Sequence, residues 1–294
     1  MKWKITERDH GFMLRDYLKD TLKLSSRFIK KIKATDRGLL VNGESKTVRY
    51  ILQTDDILEI RIPKEERSRS LVPENIPLHI IYEDEHLLVV HKEAGMPTIP
   101  SKLHPTGTLA NSILYYYDLH HIPYTVHVVT RLDKDTSGLV LIAKHQYCHS
   151  LLSEQQRRNE IDRTYVAIVH GKLRDKEGTI DRPIARSPDS IMKRIVSEEG
   201  KRAVTHYKVL KTTDQYSYVE TKLETGRTHQ IRVHFAHIGH PLVGDDLYGG
   251  SKEKMRRQAL HCAQISFTHP FSKEKMSFSV ELPEDMKNLL KNNT

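Results

Sequence analysis

Cysteine is scarce in this chain: Cys148 and Cys262 are the only two among 294 residues. Two thiols so far apart cannot build a disulfide framework, and free cysteine is usually a small buried residue. The spacings that mark zinc sites are missing as well. There is no Cys-x-x-Cys pair and no His-Glu-x-x-His helix among the 18 histidines. His234 and His237, three apart, could share a helix face as a ligand pair, and packing or RNA contact accounts for them better. Long apolar runs are also lacking, since none approaches the roughly 18 residues of a membrane span. The first residues, Met1-Lys2-Trp3-Lys4-Ile5-Thr6-Glu7-Arg8, do not contain the apolar core of a signal peptide. A cytoplasmic protein without membrane contact is therefore expected. No Walker-type glycine loop, internal repeat or low-complexity tract occurs, so no nucleotide cofactor is expected and no metal.

Acidic charge is in deficit. The chain carries 47 Lys+Arg against 38 Asp+Glu, a formal net charge of +9. Residues 1–65 alone hold 15 Lys+Arg against 10 Asp+Glu, so the surplus gathers at the N-terminal end. Such a balance points to a polyanionic partner, nucleic acid above all. With 37% hydrophobic and 29% charged residues the chain has a globular composition, and its length suits two domains.

The first segment reads as a small αβ module. An amphipathic pattern begins at Phe12–Lys19, and Ser25–Lys33 gives a second, with Ser25 or Ser26 as N-cap. Leu39–Val41 then runs into Asn42-Gly43, a strong hairpin signal, and Asp55–Ile62 alternates like a strand. This outline resembles the S4 RNA-binding domain. The resemblance implies that Arg15, Arg27, Lys30, Lys31 and Lys33 meet phosphates, where cations displace condensed counterions. Residues 66–77, charged and punctuated by proline, read as an extended linker. From residue 78 onward, strands near 78–84, 86–92, 139–144, 163–171, 204–210 and 218–223 alternate with helices at 109–117 and 145–159. Many strands with few helices imply an α+β domain over 78–294, built on a large mixed or antiparallel sheet.

The most informative run is Arg131-Leu132-Asp133-Lys134-Asp135-Thr136-Ser137-Gly138, followed at once by apolar Leu139–Ala143. Polar groups packed on a tight turn against a buried strand suit a catalytic loop, with Gly138 able to take backbone angles closed to other residues. Three more segments accompany it. They are Tyr82-Glu83-Asp84 through Pro97, Tyr165-x-Ala167-x-Val169-x-Gly171, and Thr225-Gly226-Arg227-Thr228-His229-Gln230-Ile231-Arg232-Val233-His234 with Gly239–Asp245. Together, in this order, they are similar to the RluA family of RNA pseudouridine synthases, here preceded by the S4-like module.

The resemblance implies an isomerisation in which uracil is detached from ribose, rotated and rejoined through carbon. Asp133 matches the family's catalytic aspartate, a nucleophile or base on the target nucleotide. Arg131 matches the arginine that fills the stack when the uridine flips out, a motion costing about a few kcal/mol. Tyr165 matches the active-site tyrosine, stacking on the flipped base or hydrogen-bonding in the pocket. Arg232 matches the basic partner of the aspartate, a pairing that favours the carboxylate. Arg227, His229 and Gln230 fall in the same motif and are expected to contact RNA. Many family members have histidine before Arg-Leu-Asp; Thr130 stands there in this chain, and His127 is too far along to replace it. Leu132, Leu139 and Ile231 are expected to form a dry wall that keeps water from the separated base. The implied partner is RNA, ribosomal RNA first and transfer RNA second, and a monomer is expected. A nucleoside or glycoside hydrolase using Asp133 and Asp135 is the rival enzyme, since such enzymes set two carboxyl groups about 5–9.5 Å apart. A non-catalytic S4-type RNA-binding protein would be expected to lack Asp133 or Tyr165, and both are present.

Overall fold

The computed structural model describes residues 1–291. At the N-terminal end, one turn of α-helix at Leu14–Asp16 widens into a π-helical turn over Tyr17–Thr21, closed by Leu22 N donating to Tyr17 O at 3.0 Å. Helix Ser26–Ala34 follows, and Ser25 Oγ accepts from Phe28 N at 3.2 Å, satisfying one of the helix's orphan donors. Its Phe28, Ile29 and Ile32 are buried while Arg27, Lys30, Lys31 and Lys33 stay exposed. The helices lie with a four-stranded antiparallel sheet, in the order Lys2–Lys4, Ile57–Ile60, Leu39–Val41, Glu44–Ser45. Asn42 and Gly43, with φ of +52° and +81°, make the two-residue hairpin.

This segment has its own apolar core, including Leu14, Leu18, Phe28, Ile32, Val41 and Leu58, but one member comes from elsewhere. Tyr147, on helix Gln146–Arg157, is buried within it, and its hydroxyl donates to Leu22 O at 2.7 Å. The expected linker is extended, without regular structure over most of its length, yet it is tied down. Arg67 donates to Tyr124 O at 3.0 Å and Ile122 O at 2.8 Å and pairs with Asp118. Just before it, Glu65 accepts from Gln146 N at 2.7 Å and Thr125 N at 3.1 Å, and contacts His127 Nε2 at 2.7 Å.

The body is built on a sheet of ten strands. The main path runs Glu177–Asp181, Val204–Thr212, Tyr216–Leu223, Asp162–His170, Leu260–Thr268, Ser137–Ala143, Leu87–Lys92, His79–Glu83. Lys275–Ser279 and His127–Val128 pair alongside. All neighbours are antiparallel except Leu260–Thr268 with Ser137–Ala143, so the sheet is mixed. The strand after the Arg-Leu-Asp loop is buried throughout, and each such aliphatic side chain contributes roughly 1.5–3 kcal/mol. It begins at Ser137, two residues before the apolar run, because Ser137 and Gly138 already pair with His261 and Cys262. Helix Leu109–Leu119 packs Ile113 and Tyr117 into the same core. Cys148 and Cys262 are buried free thiols. No helix of the described residues is long and apolar enough to cross a membrane.

Candidate active site

The Arg-Leu-Asp loop is held from several sides. Thr98 Oγ1 donates to Leu132 O at 2.7 Å and lies 3.2 Å from Leu132 N, gripping one residue at both backbone groups. Lys92 Nζ donates to Lys134 O at 3.0 Å, and also to Glu93 O and Met96 O at 2.8 Å each. Arg257 Nη1 reaches Asp135 O at 3.1 Å. Thr136 N closes the turn on Asp133 O at 3.1 Å. At the exit, Gly138 has φ +117°, and a Cβ there would meet Cys262 O at 2.3 Å. Glycine is required by both the angle and the neighbouring strand. Thr130, in the place of the usual family histidine, is buried, and its Oγ1 accepts from Leu141 N at 2.9 Å.

The loop presents Asp133 to a cleft of about 1000 Å³. Helix Gln230–His237 supplies the facing cation. Arg232 Nη1 donates to Asp133 Oδ2 at 3.2 Å, while Nε and Nη2 form a fork on Asp245 at 2.7 and 2.8 Å. Burial alone would lower the Arg232 guanidinium, but its hydrogen bonds and ion pair with Asp245 outweigh that and raise it. Its guanidinium also lies over the Tyr248 ring, 5.0 Å from the centroid.

His229 precedes that helix with φ +58°, an uncommon conformation for a non-glycine residue. Its Nδ1 sits 2.8 Å from Tyr248 Oη, which itself accepts from Arg194 N at 3.0 Å. A tyrosine proton donated to Nδ1 would leave the Nε2 hydrogen on the side of Asp133 Oδ2, which is 3.7 Å from Nε2. Burial lowers the imidazole pKa against the opposing pull of Asp133, which suits the neutral ring. Both contacts to Asp133 fall on Oδ2, and Oδ1 takes no hydrogen bond among the described residues.

Tyr165, on strand Asp162–His170, lines the same cleft and is 4% exposed. Its hydroxyl accepts from Arg163 Nη1 at 3.2 Å, and burial pushes the phenol pKa up, so it stays protonated at neutral pH. Arg131 is exposed on the cleft wall, with no hydrogen bond or ion pair on its guanidinium among the described residues. Arg227 is exposed there too, its Nε donating to Arg202 O at 3.0 Å.

Gln230 departs from the expected RNA contact. It is buried, and its amide is spent on the protein: Oε1 accepts from Thr225 Oγ1 and Arg227 N, and Nε2 donates to Val204 O and Thr205 Oγ1. No donor or acceptor remains to read a base, so its work is to hold the Thr225–His229 turn. Leu132 and Ile231 line the cleft as expected, whereas Leu139 lies in the core behind it; Val129, Leu223 and Leu260 complete the apolar wall. Asp135 is not among the lining residues. Its carboxylate acts electrostatically on Lys92, so the two-carboxylate hydrolase arrangement is not presented to the cleft. His234 is a packing residue, with its nitrogens near Thr205 Oγ1 and Arg182 O, both at 2.9 Å.

Asp245, Tyr248, Lys92 and Thr98 are the site residues that sequence reasoning missed. Asp245 closes the fourth motif, and an acid after a Gly-His-Pro turn was the available signal for a buried arginine partner. Burial pushes Lys92 down to about 7, against the opposing pull of Asp135 and Asp133. Nothing in its strand pattern marks it as anything but an outward lysine.

Residues 86–237 match the family described as RNA pseudouridylate synthase. The uncharacterized RNA pseudouridine synthase YjbO of Bacillus subtilis (strain 168) is 48% identical over 270 residues, covering 92% of this chain and 95% of the relative. Ribosomal large subunit pseudouridine synthase D of Xanthomonas campestris pv. campestris is 38% identical over 280 residues, covering 90% and 83%. Among solved structures, human RNA pseudouridylate synthase domain containing 1 shares the fold, with a TM-score of 0.60 at 23% identity over 78% of this chain and 97% of that one. With a guanidinium-held aspartate over a cleft of this kind and relatives matched along nearly its full length, the chain belongs to the RluA-type family of RNA pseudouridine synthases.

Proposed function

We propose that this enzyme converts uridine to pseudouridine in ribosomal RNA, with Asp133 acting on the flipped-out nucleotide through Oδ1. The observation that carries the reading is the one-sided coordination of Asp133. Arg232 and His229 both address Oδ2, which holds the carboxylate in place and leaves Oδ1 as the oxygen available to substrate. As a nucleophile or base, that oxygen assists cleavage of the bond between C1′ and N1. The base then turns, C5 joins C1′, the C5 proton departs and N1 regains one. The balance is an isomerisation and needs no oxidant or co-substrate.

The neutral Tyr165 phenol offers a flat ring and a hydroxyl to the base, and Arg131 is placed to occupy the gap left in the RNA stack. Val129, Leu132 and Leu260 limit the water that would otherwise turn the reaction into hydrolysis. The N-terminal segment is proposed to be an S4-type RNA-binding domain, separate in function from the domain beginning at residue 78. Its exposed Arg27, Lys30, Lys31 and Lys33 share one short helix with a fully buried opposite face. The choice of ribosomal RNA rests on relatives named as large-subunit pseudouridine synthases.

The test is a pseudouridine map of ribosomal and transfer RNA from cells lacking the gene, complemented with wild type or with Asp133→Asn. The expected result is loss of one or more large-subunit sites, restored by wild type alone. Sites lost only from transfer RNA would move the target, and restoration by Asp133→Asn would remove Asp133 from the chemistry.

A further inference from the structure

Away from the cleft, the antiparallel pairing of His79–Glu83 with Leu87–Lys92 sets His79 directly opposite His91. Side chains alternate along a strand, so His91 and Glu93 project to one side while Lys92, between them, turns to the catalytic loop. His79 Nδ1 and His91 Nδ1 lie 3.4 and 3.6 Å from the same oxygen, Glu93 Oε1. All three ligand atoms fall within 4.8 Å of one another, the one such cluster among the described residues. Zinc bonds to imidazole nitrogen and carboxylate oxygen at about 2.0–2.2 Å, which puts neighbouring ligands of a tetrahedron roughly 3.3 Å apart. Two of the three edges already have nearly that length.

We propose that His79, His91 and Glu93 form a binding site for a divalent transition-metal ion of the zinc class, two imidazole nitrogens and one carboxylate oxygen supplying three ligands and solvent the rest. The donor set favours such an ion over magnesium or calcium, which take oxygen ligands. His79 and Glu93 are exposed and His91 is half-buried, so the site opens to solvent and an ion enters without moving the fold. His91 is fixed by packing, its ring 5.8 Å from that of His261. The other two side chains close on it with small rotations. A bound ion would staple the edge strand of the large sheet to its neighbour. It takes no part in the isomerisation, because none of His79, His91 and Glu93 lines the cleft.

The test uses full-length, tag-free protein stripped of metal. Zinc is titrated in competition with a chromophoric chelator, and cobalt(II) serves as the spectroscopic probe. Wild type is expected to take one equivalent of zinc, to give visible cobalt bands of low coordination number, and to melt at higher temperature with zinc present. The double variant His79→Ala/Glu93→Gln alters only exposed side chains and should keep the melting temperature of the metal-free wild type. Its zinc affinity is expected to fall at least tenfold, with the cobalt bands lost. A control variant at an exposed histidine of the N-terminal segment, His10→Ala, should bind as wild type does. Absence of zinc binding by wild type overturns the proposal, and so does binding that survives the double variant.

Discussion

Arg232 gives Asp133 a single nitrogen, Nη1 at 3.2 Å, because Asp245 already holds Nε and Nη2 at 2.7 and 2.8 Å. The cation is thus aimed by a wholly buried carboxylate, and Asp133, the carboxylate proposed to react, meets an arm that is already set. Such preorganisation means no rearrangement is needed when the nucleotide arrives.

Asp245→Ala should therefore damage the site without touching substrate. It leaves the buried Arg232 short of its main partner, and breaking a buried pair costs about 3–5 kcal/mol. Urea unfolding should show a loss near the lower end of that range, since Asp133 still offers one contact. Turnover should fall with it. A variant as stable as wild type would mean the fork does not carry the load described.

Asp133→Asn should abolish pseudouridine formation while RNA affinity stays within a few-fold. The amide has nearly the same shape but is a poor nucleophile and base. Filter binding and a pseudouridine assay on the same transcript check both halves. Turnover near the native rate would move the chemistry to another residue.

Lys92 supplies a pH signature. Its folded pKa of about 7 lies below the unfolded value near 10.5, so between these the unfolded chain binds a proton that the native one does not. Stability rises with pH in that window. The stability of wild type minus that of Lys92→Met should be flat below about pH 7. Above it, the difference should climb by up to about 1.4 kcal/mol per pH unit. A flat difference up to pH 10 would show that the three carbonyls keep the ammonium charged in the fold.

Neutralising Arg27, Lys30, Lys31 and Lys33 to Gln should weaken RNA binding and flatten its salt dependence. These side chains are exposed, so the fold should persist, as circular dichroism would show. Each lost phosphate contact should reduce the log–log slope by roughly 0.7 to 0.9. Saturating RNA should restore most of the turnover. An unchanged slope would mean the helix does not bind phosphate. This variant is a sharper test than deleting residues 1–65, which would uncover Tyr147 and remove Glu65 from its three contacts.

Local patterns foretold local structure. Ser25 capping its helix, Asn42-Gly43 turning the hairpin and the apolar run at Leu139 are each decided by neighbours in sequence. The Asp133–Arg232 pair came from motif resemblance, not from spacing, and the geometry agrees with it. What escaped depends on distant partners. Gln230 looks like a free polar side chain until strand Val204–Thr212 is laid beside it. Lys92 looks solvent-facing until the loop's carbonyl closes over it, and Leu139 faces the core only because its strand is covered on both sides. His79 and His91 are twelve positions apart, a separation that no ligand-spacing rule scores, and strand register alone makes them neighbours.

The anchored connector has a geometric consequence. A loose tether would let the first sixty residues wander, and their contribution would be a raised local concentration of whatever they hold. With Arg67 gripping Tyr124 and Ile122, and Tyr147 plugged into the N-terminal core, that freedom is gone. If the small domain holds RNA as proposed, it would work as one jaw of a caliper whose other jaw is the cleft. A strand gripped at one end would then be offered to Asp133 at a set span, and substrates would be sorted by their dimensions as well as by their chemistry.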